Sequence, residues 1–294
     1  MTAWAGGSGA SWPVERRVTL AAIAGADRLR YIRAMSHAAR FLDFEGIPNF
    51  RDYGSYATAC GRGLKPARLY RSGHHNGATD ADLERLAGLG VAVIVDLRRR
   101  AERDREPSRR WPGFAAEVIE NDIADVGLPW EDELKGADPT VEFFRAVSLG
   151  WYKRNPFEPR LIDLYTRYFA ALAASDGAVL VHCAAGKDRT GLLCALTHHL
   201  AGVHRDDLVE DFLLTNLAAS QETHASRVGA LITRHTGRTP SDEALRVAMG
   251  VNAVDLEASF QVMQERCGSI DGYLEGVLGV DAPRREAIRA RLLG

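Results

Sequence analysis

The residues best suited to chemistry stand together in one short string, Val181-His182-Cys183-Ala184-Ala185-Gly186-Lys187-Asp188-Arg189-Thr190-Gly191. Small residues at 184, 185 and 186 let backbone N–H groups converge on one point, the nest geometry that binds anions. A helix predicted to start near Arg189 adds its own N–H donors and the positive end of its dipole. A thiol that titrates at about 8.5 when free is driven toward thiolate beside helix N-termini and cations, so Cys183 is expected to be the nucleophile. The Arg189 fork matches two oxygens of a phosphoryl group, which a lysine point charge does not. Lys187 adds a second cation. Thr190 is placed to donate its hydroxyl to the sulfur, and Asp188 to hand a proton to a leaving oxygen.

A lone cysteine after a strand is usually a small buried hydrophobe. Cys194 and His198, at i and i+4, invite a zinc reading together with His182 and His199. Cys194 lies within an apolar helical run, however, and zinc would not call for Gly186, Arg189 and Thr190. The full string is the stronger signal.

The elements that must position these groups are legible on either side. GAVLVHC (177–183) is a continuous apolar, β-branched run, the pattern of a parallel strand buried on both faces. GLLCALTHHLAG (191–202) follows it as a helix. VAVIVDL (91–97) predicts a second buried strand, preceded by a capped helix over TDADLERLAGLG (79–90). AAEVIE (115–120) predicts a third strand, and residues 41–70 short strands and turns. The charged stretch 100–112 is expected to be a solvated turn. Residues 141–175, including LIDLYTRYFAALAAS, carry helical spacing, as do 207–263 and the tail. Residues 1–15 are expected to be loose and 17–40 of mixed helical character. The expectation is an α/β domain at 41–294, with a mostly parallel central sheet surrounded by helices, after a partly helical extension at 1–40.

Bulk composition narrows the function classes. The 294 residues are 46% hydrophobic and 26% charged, with a formal net charge of -2. That balance gives no global field for nucleic acid, so anion recognition must be local. Four scattered cysteines make neither a disulfide scaffold nor a CxxC metal site. No apolar run is long enough to span a bilayer, and the N-terminal stretch lacks the layout of a secretory signal, which makes cytoplasmic location the expectation.

The string HCAAGKDRTG is similar to the signature of the bacterial protein tyrosine phosphatases, a branch of the cysteine-dependent phosphatases whose members also act on phosphoserine, phosphothreonine and phosphoinositides. NFRDYGSY (49–56), LYRSG (69–73) with DADLERLAGLGVAVIVDLR (80–98), EDFLLTN (210–216) and GSIDGYLEGVLGV (268–280) resemble other blocks of that family. The resemblance spans roughly residues 45–294. It implies Cys183 as nucleophile, Asp188 as in-loop acid and Arg189 as phosphate binder, with Ala184, Ala185, Gly186, Lys187 and Thr190 around the phosphate. It implies a phosphorylated protein or a phosphoinositide as partner, with Lys187 at the position tied to phosphoinositide activity. It also implies a helical lid, for which 219–260 is the matching region and Leu231, Val247, Met249 and Val251 candidate lining. Tyr53 departs from a small apolar residue in the family pattern, and Ser55 from a common glycine. Trp111-Pro112-Gly113 lacks the aspartate of a Trp-Pro-Asp loop, so it reads as a turn. Asp122 and Asp125 are the fallback acids, and Asp96, at the end of a parallel strand, reads first as a structural partner of Arg98 or of a backbone nest and second as a residue that reaches the site. The rival readings are a catalytically silent phosphate-binding module and a rhodanese-like sulfurtransferase, which the GKDRTG ending opposes.

Overall fold

A computed structural model of the chain describes residues 40–126, 130–218 and 222–294. The expectations for residues 1–15 and 17–39 lie outside the described residues. Arg40–Gly294 forms one compact unit. Its elements run β1 (Arg51–Asp52), β2 (Leu69–Ser72), α1 (Asp80–Ala87), β3 (Val91–Asp96), α2 (Arg100–Arg105), β4 (Glu117–Ile119), α3 (Trp130–Glu133), α4 (Val141–Arg154), α5 (Pro159–Ala174) and β5 (Ala178–His182). Then come α6 (Asp188–Ala201), α7 (Arg205–Leu213), α8 (Thr215–Ala218), α9 (Glu222–Thr236), α10 (Asp242–Met249), α11 (Ala253–Cys267), α12 (Ile270–Gly276) and α13 (Ala282–Leu292).

The strands form one sheet in the order β1-β2-β5-β3-β4, parallel except for β1 against β2. The expected mostly parallel sheet with surrounding helices is what the chain adopts. Alternation along the strands divides the core. Val93, Val95, Val179 and Val181 face the larger layer, built from α5, α6, α7 and the C-terminal helices. Ile94, Leu180 and Tyr70 face the smaller layer, with Leu83 and Leu86 of α1. A register irregularity between Val91 and Val93 turns Val91 to the same side as Ile94.

The start of α1 follows its sequence signal: the Thr79 hydroxyl accepts from Asp82 N–H, and the Asp82 carboxylate accepts from Thr79 N–H. Helix α6 is buried on almost every side, with Leu192, Leu193, Cys194 and Leu196 unexposed. That is why its sequence is apolar all round rather than striped.

The charged stretch after β3 corrects one expectation. Residues 100–105 are a helix, not a solvated turn. The Glu102 carboxylate accepts the Arg99 N–H at 2.7 Å and so caps the helix start. Helices α9 and α10 pack on α4 through a separate apolar cluster of Leu134, Phe144, Ile232 and Ala244, with Val247 among its partly buried neighbours.

Candidate active site

Register sets the floor of the site. Ser72, His182 and Asp96, the last residues of β2, β5 and β3, stand opposite one another at the carboxyl edge of the sheet. His75 lies against this row, its ring stacked on His182 at 4.4 Å and its Nε2 3.1 Å from Ser72 Oγ. Burial drives the His182 imidazole down to about 4, even though Asp96 sits 3.5 Å from its Nε2. Asp96 is clasped by Arg98 through Nε at 2.9 Å and Nη2 at 2.7 Å, a buried pair that accounts for it as structure.

Cys183 follows directly and is 2% exposed. The chain then turns back through Ala184–Lys187 into α6. Every loop carbonyl from 184 to 187 is held from behind. The Ala184 oxygen accepts from His74 N–H at 2.9 Å. The Gly186 oxygen accepts from Asn49 Nδ2 at 2.8 Å and Arg71 Nη2 at 3.0 Å. Longer contacts run from Asn49 to the Ala185 oxygen and from Arg71 to the Lys187 oxygen, both 3.5 Å. In a trans peptide the carbonyl and the next N–H point opposite ways. Pinning these oxygens therefore turns the N–H groups of Ala185, Gly186, Lys187 and Asp188 toward the other side of the loop.

The pins are themselves anchored. Asp211 of α7 meets Arg71 Nη1 at 2.9 Å and Arg51 Nε at 3.5 Å, and Arg51 also bonds Asn49 Oδ1. All three charged side chains are at most 1% exposed. The two cations hold the Asp211 carboxyl at about 2 against the upward push of burial. Arg51 makes structural hydrogen bonds here, its Nη2 donating to the Asp211 backbone oxygen at 3.0 Å. Asp52 makes its own at a distance, accepting from Gly54 and Ala67 N–H.

Gly186 has φ 66°, and a Cβ there would lie 2.4 Å from the Ser72 carbonyl. Only glycine meets both demands. Ser55, at a position often glycine in the family pattern, also holds a positive φ of 58°. Tyr53 points into the core, with its hydroxyl 3.0 Å from that of Tyr168.

Arg189 leaves the first turn of α6. Its Nη1 and Nη2 lie 2.6 and 2.8 Å from the two oxygens of Glu102, and Nη1 also donates to the Leu97 oxygen at 3.1 Å. A guanidinium has five N–H donors. These bonds use three, and the Nε–H and second Nη2–H that remain lie along one edge. Burial alone would raise the Glu102 carboxyl, but the Arg189 guanidinium outweighs it and holds the group at about 2. Glu102 was missed in the sequence because it sits in a run of surface-type charges; its only signal was its place three residues into a helix.

Asp188 is partly exposed. Its Oδ1 accepts from the Tyr152 hydroxyl at 2.9 Å, and its Oδ2 lies 3.7 Å from Lys187 Nζ. Lys187 donates to the Ala248 oxygen at 2.9 Å, in the last turn of α10, where a cation suits the helix dipole. Thr190 is fully buried, and its hydroxyl has no hydrogen-bond partner among the described residues, so the expected bond to the sulfur is not formed. The fallback acids are otherwise engaged: Asp125 pairs with Arg160 at 2.5 Å, and Asp122 with Arg103. Trp111 packs edge-on against Phe114, 4.7 Å between centroids, ahead of the expected turn. Cys194 is core, its thiol pushed up to about 12 by burial, and His198 Nε2 lies 2.6 Å from the Tyr53 oxygen. Of the candidate lid residues, Val251 belongs to the main core and Met249 is buried; Leu231 and Val247 are half-buried.

A buried cysteine at the carboxyl edge of a parallel sheet, a loop with its N–H groups turned one way and a clamped arginine at the helix start make a candidate site for an anion such as a phosphoryl group. The comparisons with known proteins agree. The tyrosine phosphatase family model matches residues 42–294, and the chain belongs to that family. A Cupriavidus necator protein provisionally named a tyrosine-protein phosphatase is 35% identical over 246 residues, 82% of this chain and 85% of that protein. The triple specificity protein phosphatase PtpB of Mycobacterium tuberculosis is 29% identical over 288 residues, 86% of this chain and 99% of its own length. A tyrosine-protein phosphatase of Nostoc commune is 32% identical over 142 residues, 47% of this chain and 44% of that protein. Among the described residues no helix is long and apolar enough to cross a membrane.

Proposed function

We propose that the protein hydrolyses phosphomonoesters through a phosphocysteine intermediate, with phosphotyrosine in proteins as its main substrate. One observation carries this reading: the Arg189 fork is clamped by Glu102 with one donor edge left over, beside a loop whose carbonyls are all held from behind. The Cys183 thiolate attacks phosphorus in line. The free edge of Arg189 and the N–H groups of Ala185–Asp188 take the equatorial oxygens as charge develops. Asp188 protonates the leaving oxygen; water then attacks the phosphocysteine with Asp188 as base. The unpartnered Thr190 hydroxyl is the donor for the sulfur as it departs.

Cys183→Ser tests the mechanism. It is expected to abolish turnover of p-nitrophenyl phosphate and the burst of phosphoenzyme, while vanadate still binds and the fold is kept. Residual wild-type turnover would sink the proposal. A wild-type protein that binds vanadate but turns over no ester would be the silent binding module instead.

Phosphoserine, phosphothreonine and phosphoinositides extend the reading. PtpB is named for triple specificity, and Lys187 stands beside Asp188 at the loop. The assay is a side-by-side comparison of phosphopeptides and phosphoinositides with wild type and Lys187→Met. A selective loss on phosphoinositides supports the extension; equal rates for both variants on both substrates remove it.

A further inference from the structure

Tyr152 is on α4, far in sequence from the Cys183 loop, and no motif singles it out. Its ring is 1% exposed and packs edge-on against Phe212 and Trp151. Its backbone oxygen accepts from Ser259 Oγ at 2.6 Å, which ties this point of α4 to α11. Its hydroxyl donates to Asp188 Oδ1 at 2.9 Å. A side chain so enclosed loses no further rotamer freedom in making that bond, so it places the carboxyl firmly.

The two oxygens of Asp188 are thereby made unequal. Oδ1 is held by a rigid, neutral donor. Oδ2 has the Lys187 ammonium, itself bonded to the Ala248 oxygen, at 3.7 Å, beyond hydrogen-bond range. Burial, and next the Asp188 carboxylate, push the Tyr152 phenol well above its ordinary range, so it remains a donor and is no proton source itself. Asp255, a second carboxyl, is held by Ser148 Oγ at 2.9 Å, also from α4. One helix therefore supplies the side chains that hold both carboxyls.

We propose that Tyr152 is the positioning residue for Asp188. It fixes the plane of the carboxyl and leaves Oδ2 as the oxygen that gives the proton to the leaving group and later takes one from water. The inference rests on the reading of Asp188 as general acid, and the experiment separates the two. Tyr152→Phe, Asp188→Asn and the double variant are assayed on a series of aryl phosphates from 2,4-dinitrophenyl to phenyl. Tyr152→Phe is expected to slow phenyl phosphate about tenfold, the worth of one hydrogen bond to a charged group, and to change 2,4-dinitrophenyl phosphate less than about twofold. Its vanadate affinity should match wild type, its unfolding midpoint should fall no further than the loss of one buried hydrogen bond allows, and it should add nothing in the Asp188→Asn background. Equal slowing of both esters, or a further loss in the double variant, would overturn the positioning role while leaving Asp188 as acid. An Asp188→Asn enzyme with unchanged leaving-group dependence would overturn the acid assignment, and this inference with it.

Discussion

Arg189 and Glu102 meet fork to fork, with Nη1–Oε2 at 2.6 Å and Nη2–Oε1 at 2.8 Å. Both side chains are about seven-eighths buried, 13% and 14% exposed. The pair joins the first turn of α6 to the short α2. It holds the guanidinium in one orientation, the preorganisation that the proposed role of Arg189 requires.

Replacing Glu102 by Gln removes the charge and keeps the shape. Breaking one side of such a buried pair costs about 2–5 kcal/mol, part of which a glutamine oxygen recovers. The expected result is a fall in kcat/KM of about tenfold or more, with weaker vanadate binding. Steady-state kinetics and vanadate titration check it; unchanged values would mean that the clamp does not set the arginine.

Gly186→Ala strikes the loop backbone. A Cβ 2.4 Å from the Ser72 carbonyl, at φ 66°, must displace either the loop or β2. The left-handed conformation alone costs about 1–2 kcal/mol. Loss of phosphate affinity is expected to exceed loss of stability, because the N–H groups of 185–188 move first. Comparing the urea midpoint with vanadate affinity measures both.

Thr190→Val makes opposite demands on stability and catalysis. The hydroxyl is buried without a partner, and such a group costs about 1–3 kcal/mol. The variant should therefore be as stable as wild type or more so. Its phosphoenzyme should persist longer, since the departing sulfur loses its donor. Rapid quench of the phosphoenzyme and thermal unfolding read the two effects; faster breakdown of the intermediate would refute the role.

Acid should weaken the fold in two stages. His182, buried, titrates at about 4 in the fold against an ordinary 6.5. His75 and His198 are lowered as well, burial being the main cause. Between pH 6.5 and 4 the unfolded chain binds protons that the folded chain refuses, so stability falls as pH falls. Glu102, at about 2 against 4.5, and Asp211, at about 2 against 3.8, act next. Their contribution is present above pH 4.5 and is lost as pH falls through 2. His182 and Glu102 each account for about 3 kcal/mol at most. Urea unfolding at pH 7, 5 and 3 should show the decline, and His182→Asn should flatten its upper part.

Much of the fold was legible because local pattern and burial agree. The runs at 91–97 and 177–183 are apolar throughout since both sheet faces are covered. Thr79 and Asp82 announce α1 by chemistry that needs no tertiary partner. The loop residues Cys183 to Thr190 could be read together because they are adjacent in the chain. Residues 100–105 were not legible. A run of arginines and glutamates looks solvated until Glu102 is seen to turn inward.

The sequence by itself determined which candidate groups share the loop, since a thiol, a glycine and an arginine at these spacings lie on one strand–loop–helix turn. It also determined the parallel core that carries them. Only the tertiary structure decided what holds each group. Glu102 clamps Arg189, Asp211 anchors the arginine pins through Arg71 and Arg51, and Tyr152 grips Asp188, each from an element distant in the chain. Such pairs leave no periodicity or motif, because a buried hydrogen bond is specified by where two surfaces meet and not by the spacing of residues along either one.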